Sequence, residues 1–367
     1  MTKLWDAQQH ELLQGVTEDG LLIGGDGRCD SMGHCAKYGS YSAVDLERNK
    51  ILHVELVQSN EVKSSYHMEL EGIQRIIQLF DRFQVKVRAL VTDRHRQIAA
   101  WLRKNWQGVK HYFDCWHIAK SIKKKLKSLS KRKGFELVGD WTKSLVNHYY
   151  WSVMSTEIDD KDLIEAKWKS LIRHVQNKHE GHGHPYPRCS HQMLSPATMR
   201  ETVRFTPDSE PCDALENIVF DKMLIKDIAN SSAYGQTSQV EGYHSLVNQF
   251  APKMYHFSFL GMKSRLLLAA MNYNENGGRQ QCQNKKGKPE FTIAFPKYKK
   301  GGYIVRKILT ECTYNYVDQL FNELVSRLIS QDNVLEQQAM KSPPPLCINF
   351  DKPEKEIAIE EHTSRFT

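Results

Sequence analysis

Between Gly20 and Phe113 the apolar positions change period several times, and each change marks an element. Leu21-Leu22-Ile23 runs into Gly24-Gly25-Asp26-Gly27, which predicts a strand with an acid at its end. Tyr38 to Leu46 alternates loosely, and after the turn residues Glu47 to Lys50 the run Ile51 to Val57 predicts a third strand. Connections this short make an antiparallel meander. Leu70, Ile73, Ile76, Ile77 and Phe80 then recur at helical spacing across Met68 to Phe83. Val85 to Val91 reads as a buried strand ending in Thr92-Asp93, followed by a helix through Ile98, Trp101, Leu102 and Trp106. After Gly108, Val109 to Phe113 predicts another strand, ending in Asp114.

From Trp116 to about Asn230 the helical period dominates. Near its start Lys120 to Lys133 surrounds Ile122, Leu126 and Leu129, so one stripe packs while ammonium groups point elsewhere. Residues 174–212 are loop-like and rich in His, Pro and Cys, and Ala214 to Ala229 is helical. Thr237-Ser238 predicts a cap for a helix with Val240, Tyr243, Val247 and Phe250 on one stripe. Glu241, His244, Ser245 and Asn248 share another stripe of that helix. A helix from Ser258 to Asn274, a polar loop over 276–301 and an amphipathic helix from Tyr314 to Met340 complete the pattern. Five segments follow: a lead-in over 1–19, a first core part over 20–117, a helical block over 118–230, a core completion over 231–340, and a tail over 341–367 with little reason to fold. No repeat of solenoid period is present.

Composition narrows the class. With 40% hydrophobic and 26% charged residues in 367, the chain reads as a soluble globular protein of about two domains. No apolar run approaches the roughly 20 residues of a membrane span, and MTKLWDAQQHELLQG has no signal-peptide core, so an intracellular protein with no membrane partner is expected. The eight cysteines are scattered and read as reduced thiols. The net charge of +8 matters mainly for where it lies. One concentration runs from Lys120 through Lys123, Lys124, Lys125, Lys127, Lys131 and Arg132 to Lys133; a second runs from Lys285 through Lys297, Lys299 and Lys300 to Lys307. Such runs are solvated faces or, beside an acidic site, surfaces for a polyanion such as nucleic acid.

The order strand, strand, strand, helix, strand, helix, strand resembles that of a ribonuclease H-like α/β fold. In that fold the first and fourth strands are neighbours, which would set Asp26 beside Asp93 at the sheet edge where ligands bind. Taken alone, Asp93 reads as a helix cap and Glu241 as a surface residue. Together, clustered carboxylates require cations between them. Oxygen ligands with room for phosphate suit Mg²⁺ or Mn²⁺, and two such ions about 4 Å apart support in-line displacement at phosphorus.

Four motifs in order carry a more specific resemblance. GGDGRCDSMGHCAKYGSYSAVDL, VTDRHRQI, FDCWHIAKSIKKKL and QTSQVEGYHSLVNQFAPK resemble those of eukaryotic cut-and-paste DNA transposases, the Kolobok-like group and its Mutator-like relatives, over about Gly20 to Tyr316. The resemblance implies Asp26, Asp93 and Glu241 as catalytic ligands of two Mg²⁺ or Mn²⁺ ions, with Asp30 the rival to Asp26. Asp114-Cys115-Trp116-His117 matches the additional [Cys/Asp]-x-x-His motif, and His244 is a further accessory candidate. The implied protein is a nuclear enzyme that cuts double-stranded DNA and joins a freed 3′ hydroxyl to a target, with a ribonuclease H-like sheet and a large helical insertion. Homo-oligomerisation belongs to that expectation. Such enzymes usually carry a separate end-recognition module; here the motifs begin almost at once, so a piece of a longer protein or a second subunit is expected. A domesticated, catalytically silent DNA-binding protein and an unrelated interaction protein remain as alternatives.

His174, His179, Cys189 and His191, with His182 and His184 between, form an H-x4-H and C-x-H set that would suit structural Zn²⁺, although the spacing is not that of a standard zinc finger and histidine-rich loops often hold no metal. Tyr298 and Tyr303 interleave with the second basic stretch, placed to stack on bases or simply to pack.

Overall fold

The structure is a computed structural model and describes residues 1–32, 36–192, 202–234, 237–329, 342–346, 348 and 353–363. Strands form where the sequence alternates or runs β-branched: β1 (Leu21–Cys29), β2 (Tyr38–Asp45), β3 (Lys50–Gln58), β4 (Val87–Thr92) and β5 (Lys110–Phe113). They make one mixed five-stranded sheet of order β3-β2-β1-β4-β5. β1, β2 and β3 pair antiparallel, whereas β4 lies parallel to β1 and β5 parallel to β4. Each parallel step requires a crossover, supplied by α2 (Met68–Arg82) and α3 (Arg96–Asn105).

These two helices bury Ile73, Ile76, Phe80, Ile98 and Leu102 against one face of the sheet. Helices α10 (Ser238–Phe250) and α11 (Phe259–Asn276) bury Val240, Tyr243, Val247, Met262 and Leu266 against the other. The chain is thus a mixed α/β protein with a helical layer on each face of the sheet.

A second core belongs to the helical block. Helices α4 (Cys115–Leu129), α5 (Glu136–Met154), α6 (Lys161–Lys169), α7 (Leu171–Val175), α8 (Glu210–Val219) and α9 (Lys222–Ala229) close around Tyr149, Trp168, Ile118 and Ile122. The chain leaves the sheet at Asp114 and comes back beside the same strand. Phe113 N–H donates to the Asn230 carbonyl and Ser232 N–H to the Phe113 carbonyl, both at 2.8 Å.

Several expected boundaries move. β1 continues to Cys29, so Asp26 lies within the strand rather than at its end; glycines at 24, 25 and 27 ended the apolar pattern but not the ladder. The lead-in over 1–19 contains a packed helix, α1 (Thr2–Gln14), with Trp5 and Leu13 buried. A bulge in β3 leaves Leu52 extra in the register, and the Gln9 amide satisfies its carbonyl at 2.8 Å. Ala214 to Ala229 is two helices, because Asp221 starts a new one by accepting from Leu224 N–H at 2.7 Å. Within 276–301 the expected loop is half of a hairpin, β6 (Phe291–Ala294) against β7 (Ile304–Lys307). The helix expected over Tyr314 to Met340 is described over Asn315–Ile329, and positions 330–340 lie outside the described residues. In the expected tail, the Pro344 carbonyl accepts from Gln58 Nε2 at 2.7 Å, and Lys355–Glu360 is helical. Among the described residues no helix is long and apolar enough to cross a membrane.

Candidate functional site

The site begins with the registration of α10 along β1. Alternate residues of a strand recur about every 6.6 Å on one face, and every fourth residue of a helix recurs after about 6 Å. Val240, His244 and Asn248 therefore meet positions 24, 26 and 28 in turn. A Cβ at Gly24 would sit 3.3 Å from Val240 Cγ2, His244 Nδ1 lies 3.5 Å from Asp26 Oδ2, and Arg28 Nη2 donates to Asn248 Oδ1 at 2.8 Å. The second nitrogen of His244 is 3.1 Å from Ser42 Oγ, so the imidazole bridges β1 and β2.

Asp93 follows β4 directly. Gly25 is paired with Thr92, which makes Asp26 and Asp93 the next residues along two adjacent parallel strands. Burial first, and then Asp26, raise the Asp93 carboxyl above its ordinary range, while His117, His95 and a backbone hydrogen bond from His95 pull the other way. His117 also lies 3.7 Å from Glu241 Oε1, so its imidazole faces both acids. Glu241 itself is exposed in the first turn of α10.

A fourth carboxylate, Glu69, has no counterpart among the residues expected from the sequence. It sits in the first turn of α2 and packs over Gly27, where a Cβ would come within 2.5 Å of Glu69 Cδ. Burial, then Asp93, then Asp26 push its carboxyl up to about 7. Tyr41 fills the neighbouring gap, since a Cβ at Gly25 would stand 2.6 Å from its hydroxyl oxygen. The two glycines flanking Asp26 thus admit an acid and a phenol beneath it. Gly27→Ala is expected to expel Glu69 and cost about 1–3 kcal/mol in a urea melt; unchanged stability would show that Glu69 is not seated there.

The Glu69 shift has a sign that can be measured. Its folded value of about 7 lies above the ordinary 4.5, so the group favours the folded state below 4.5 and that contribution is lost as pH rises through 7. Between about pH 5 and pH 8 the metal-free chain should lose on the order of 2–3 kcal/mol through this group. Glu69→Gln should flatten that dependence, and added Mg²⁺ should stabilise the parent more at pH 8 than at pH 5. A parent and variant with parallel pH profiles would contradict it.

Asp114 and Asp30 have other duties. Asp114 is 2% exposed and caps α4 by accepting from Trp116 N–H at 2.6 Å. Its second oxygen accepts from Thr237 N–H at 3.0 Å and from the Thr237 hydroxyl. The expected Thr237 side-chain cap on α10 is therefore replaced by a bond to Asp114, which ties the start of the Glu241 helix to the end of β5. Asp30 is also buried; it accepts from Lys37 N–H at 3.1 Å across the β1–β2 turn, while its carbonyl receives Met254 N–H. It shares no such contact with Asp93. His117 meets Trp116 edge to face at 4.9 Å.

Asp26, Asp93, Glu69 and Glu241 offer oxygen donors, and Asp93 and Glu69 are both held toward their protonated forms by burial and like charge; among the described residues these acids do not close into one ligand cluster as the His174 group does. The oxygen donors and the raised carboxyl groups fit hard divalent cations.

Basic side chains follow His117 along α4. Lys120, Lys123, Lys124, Lys125 and Lys127 are exposed on α4, which ends at Leu129, so Lys131, Arg132 and Lys133 lie exposed beyond it. Lys125 lies 3.5 Å from Asp221, and the Lys120 ammonium 4.6 Å over the Trp116 ring. Arg94, Arg96, Arg103, Lys161 and Lys226 line a cleft of about 760 Å³. These arginines escaped the sequence pattern because they are spaced singly, not in a run. Lys297, Lys299 and Lys300 occupy the exposed tip of the β6–β7 hairpin with Tyr298 and Tyr303. His174, His179, Cys189 and His191 do come together, in the helical block.

No protein-family profile, curated protein or solved structure matches the chain.

Proposed function

We propose that the chain is the catalytic region of a DNA transposase of the DDE type, with a ribonuclease H-like sheet and the helical block as its insertion. The observation that carries this reading is the placement of Asp26 and Asp93 side by side on β1 and β4, with Glu241 brought back by a helix registered on β1. The departure and return of the helical block at Phe113 supports the insertion.

Asp26, Asp93 and Glu241, with Glu69 beside them, would hold the Mg²⁺ or Mn²⁺ ions. When bound, these activate a water or 3′ hydroxyl and stabilise the leaving oxygen. His244 orients the Asp26 carboxylate, His117 orients Glu241, and Asp114 fixes where α10 starts. The α4 lysines and the hairpin tip neutralise phosphates of double-stranded DNA without reading sequence. End recognition falls to a separate module or subunit, a homo-oligomer places two sites on paired ends, and the protein works in the nucleus.

A catalytically silent, domesticated DNA-binding protein is the second reading. It is favoured by the exposure of Glu241, which has His117 beside it at 3.7 Å.

The test is joining of a pre-cut duplex with a free 3′ hydroxyl to supercoiled DNA in Mg²⁺ or Mn²⁺. Joined products support the transposase; binding without joining favours the silent protein. Alanine at Lys120, Lys123, Lys124 and Lys127 is expected to shrink the slope of log affinity against log salt by about 0.9 for each phosphate that is no longer neutralised. An affinity that ignores salt would sink both readings.

A further inference from the structure

We propose that His174, His179, Cys189 and His191 form a structural zinc site that staples the 178–192 loop to the helical block. The four ligand atoms all lie within 4.8 Å of one another. A tetrahedral zinc ion with Zn–N of about 2.0 Å and Zn–S of about 2.3 Å holds its ligand atoms roughly 3.3–3.8 Å apart. His174 Nδ1 stands 3.4 Å from Cys189 Sγ, and His179 Nδ1 stands 3.2 Å from His191 Nε2. These two pair distances are close to those of ligands around one centre, and the remaining ligand atoms stand within 4.8 Å.

The tautomers sharpen the argument. His191 Nδ1 lies 2.7 Å from the Gln192 carbonyl oxygen, which can only accept, so that nitrogen carries the proton and Nε2 presents a lone pair. His179 Nε2 lies 3.1 Å from Asn177 Oδ1, which leaves Nδ1 as the lone-pair nitrogen. Two lone pairs therefore face each other at 3.2 Å, an arrangement that is repulsive unless a cation sits between them. A divalent ion bound by lone pairs satisfies the same atoms. The outward hydrogen bonds to Gln192 and Asn177 are the kind that fix metal-ligating histidines. His182 Nε2, 3.3 Å from Cys189 Sγ, is placed to donate to the thiolate rather than to ligate.

The loop needs such a staple. His174 lies in the last turn of α7 on the packed helical core, but across 178–192 the only buried residue is Tyr186. Backbone pairing between Glu180 and Arg188 and from Cys189 N–H to the His179 carbonyl shapes the loop without burying apolar area. Metal binding supplies the missing folding energy at sites of this kind. The proposal is independent of the chemistry assigned to Asp26 and Asp93.

The test uses the full chain without a histidine tag. Mass spectrometry of the purified protein for bound metal is expected to give one zinc per chain. Replacement by Co²⁺ should give the visible bands of a tetrahedral ion with a thiolate-to-cobalt charge-transfer band. Cys189→Ser should remove that band, whereas Cys282→Ser should leave it unchanged. His182→Ala should retain the metal with affinity roughly 10- to 100-fold weaker. If Cys189→Ser does not fold, the parent cobalt spectrum decides alone. Zinc-free protein after equilibration with zinc, a cobalt spectrum without the thiolate band, or full retention of the band in Cys189→Ser would overturn the proposal.

Discussion

Asp93→Asn is expected to make the metal-free chain more stable while removing metal-dependent cleavage. Asp93 adjoins Asp26 in register, and Glu69 is pushed toward its protonated form by burial and the same two acids. Removing one of the mutually repelling charges relieves the others, by on the order of 1 kcal/mol. Cleavage should fall at least about a hundredfold, as when a preorganised charge is deleted from a reacting centre. Asp26→Asn should likewise remove cleavage. A structural carboxylate would give the opposite sign, because its loss would leave hydrogen-bond donors unpaired. Thermal melts in EDTA, set beside cleavage rates in Mn²⁺, read both quantities. A destabilised Asp93→Asn with cleavage intact would remove Asp93 from the site.

Asp114→Ala is that opposite case. Its carboxylate serves Trp116 N–H, Thr237 N–H and the Thr237 hydroxyl in a setting with 2% exposure. Loss of the cap and of the bonds to buried donors is expected to cost roughly 3–5 kcal/mol. Because Thr237 starts the Glu241 helix, hydrogen exchange should rise first around Ser238 to Glu241 rather than in α2 or α3. Urea denaturation and exchange measured on one preparation test both parts. A loss below about 1 kcal/mol would show that the junction does not depend on Asp114.

The adjacency of Asp26 and Asp93 was legible because strand order follows from local pattern. Short connections force the antiparallel meander, helical crossovers force the parallel strands, and the register then sets the two acids together. Glu241 was legible as one member of a polar stripe, of which His244 and Asn248 do reach β1. Glu69 was not, because its meaning lies in the gap left by Gly27, a residue 42 positions earlier that touches it only in the folded chain. Asp114 read as an acid delivered to the sheet edge, since nothing local shows that Thr237 will close over it. The N-terminal helix was missed for want of apolar positions: Trp5 and Leu13 are its buried hydrophobics, and Gln9 does polar work at a bulge. The β6–β7 hairpin was hidden by the lysines and glycines that surround its two four-residue strands, which are too short to set a period of their own.

The central claim is a carboxylate site that cuts DNA with divalent metal. Its most direct test is nicking of supercoiled DNA by the purified chain in Mg²⁺ or Mn²⁺, with EDTA and with Glu241→Gln as controls. The account predicts nicking by the parent in either metal, none in EDTA, and a loss of at least about a hundredfold in Glu241→Gln with DNA binding retained. Nicking that survives in Glu241→Gln, or a parent that binds DNA and never nicks it in either metal, would contradict the account.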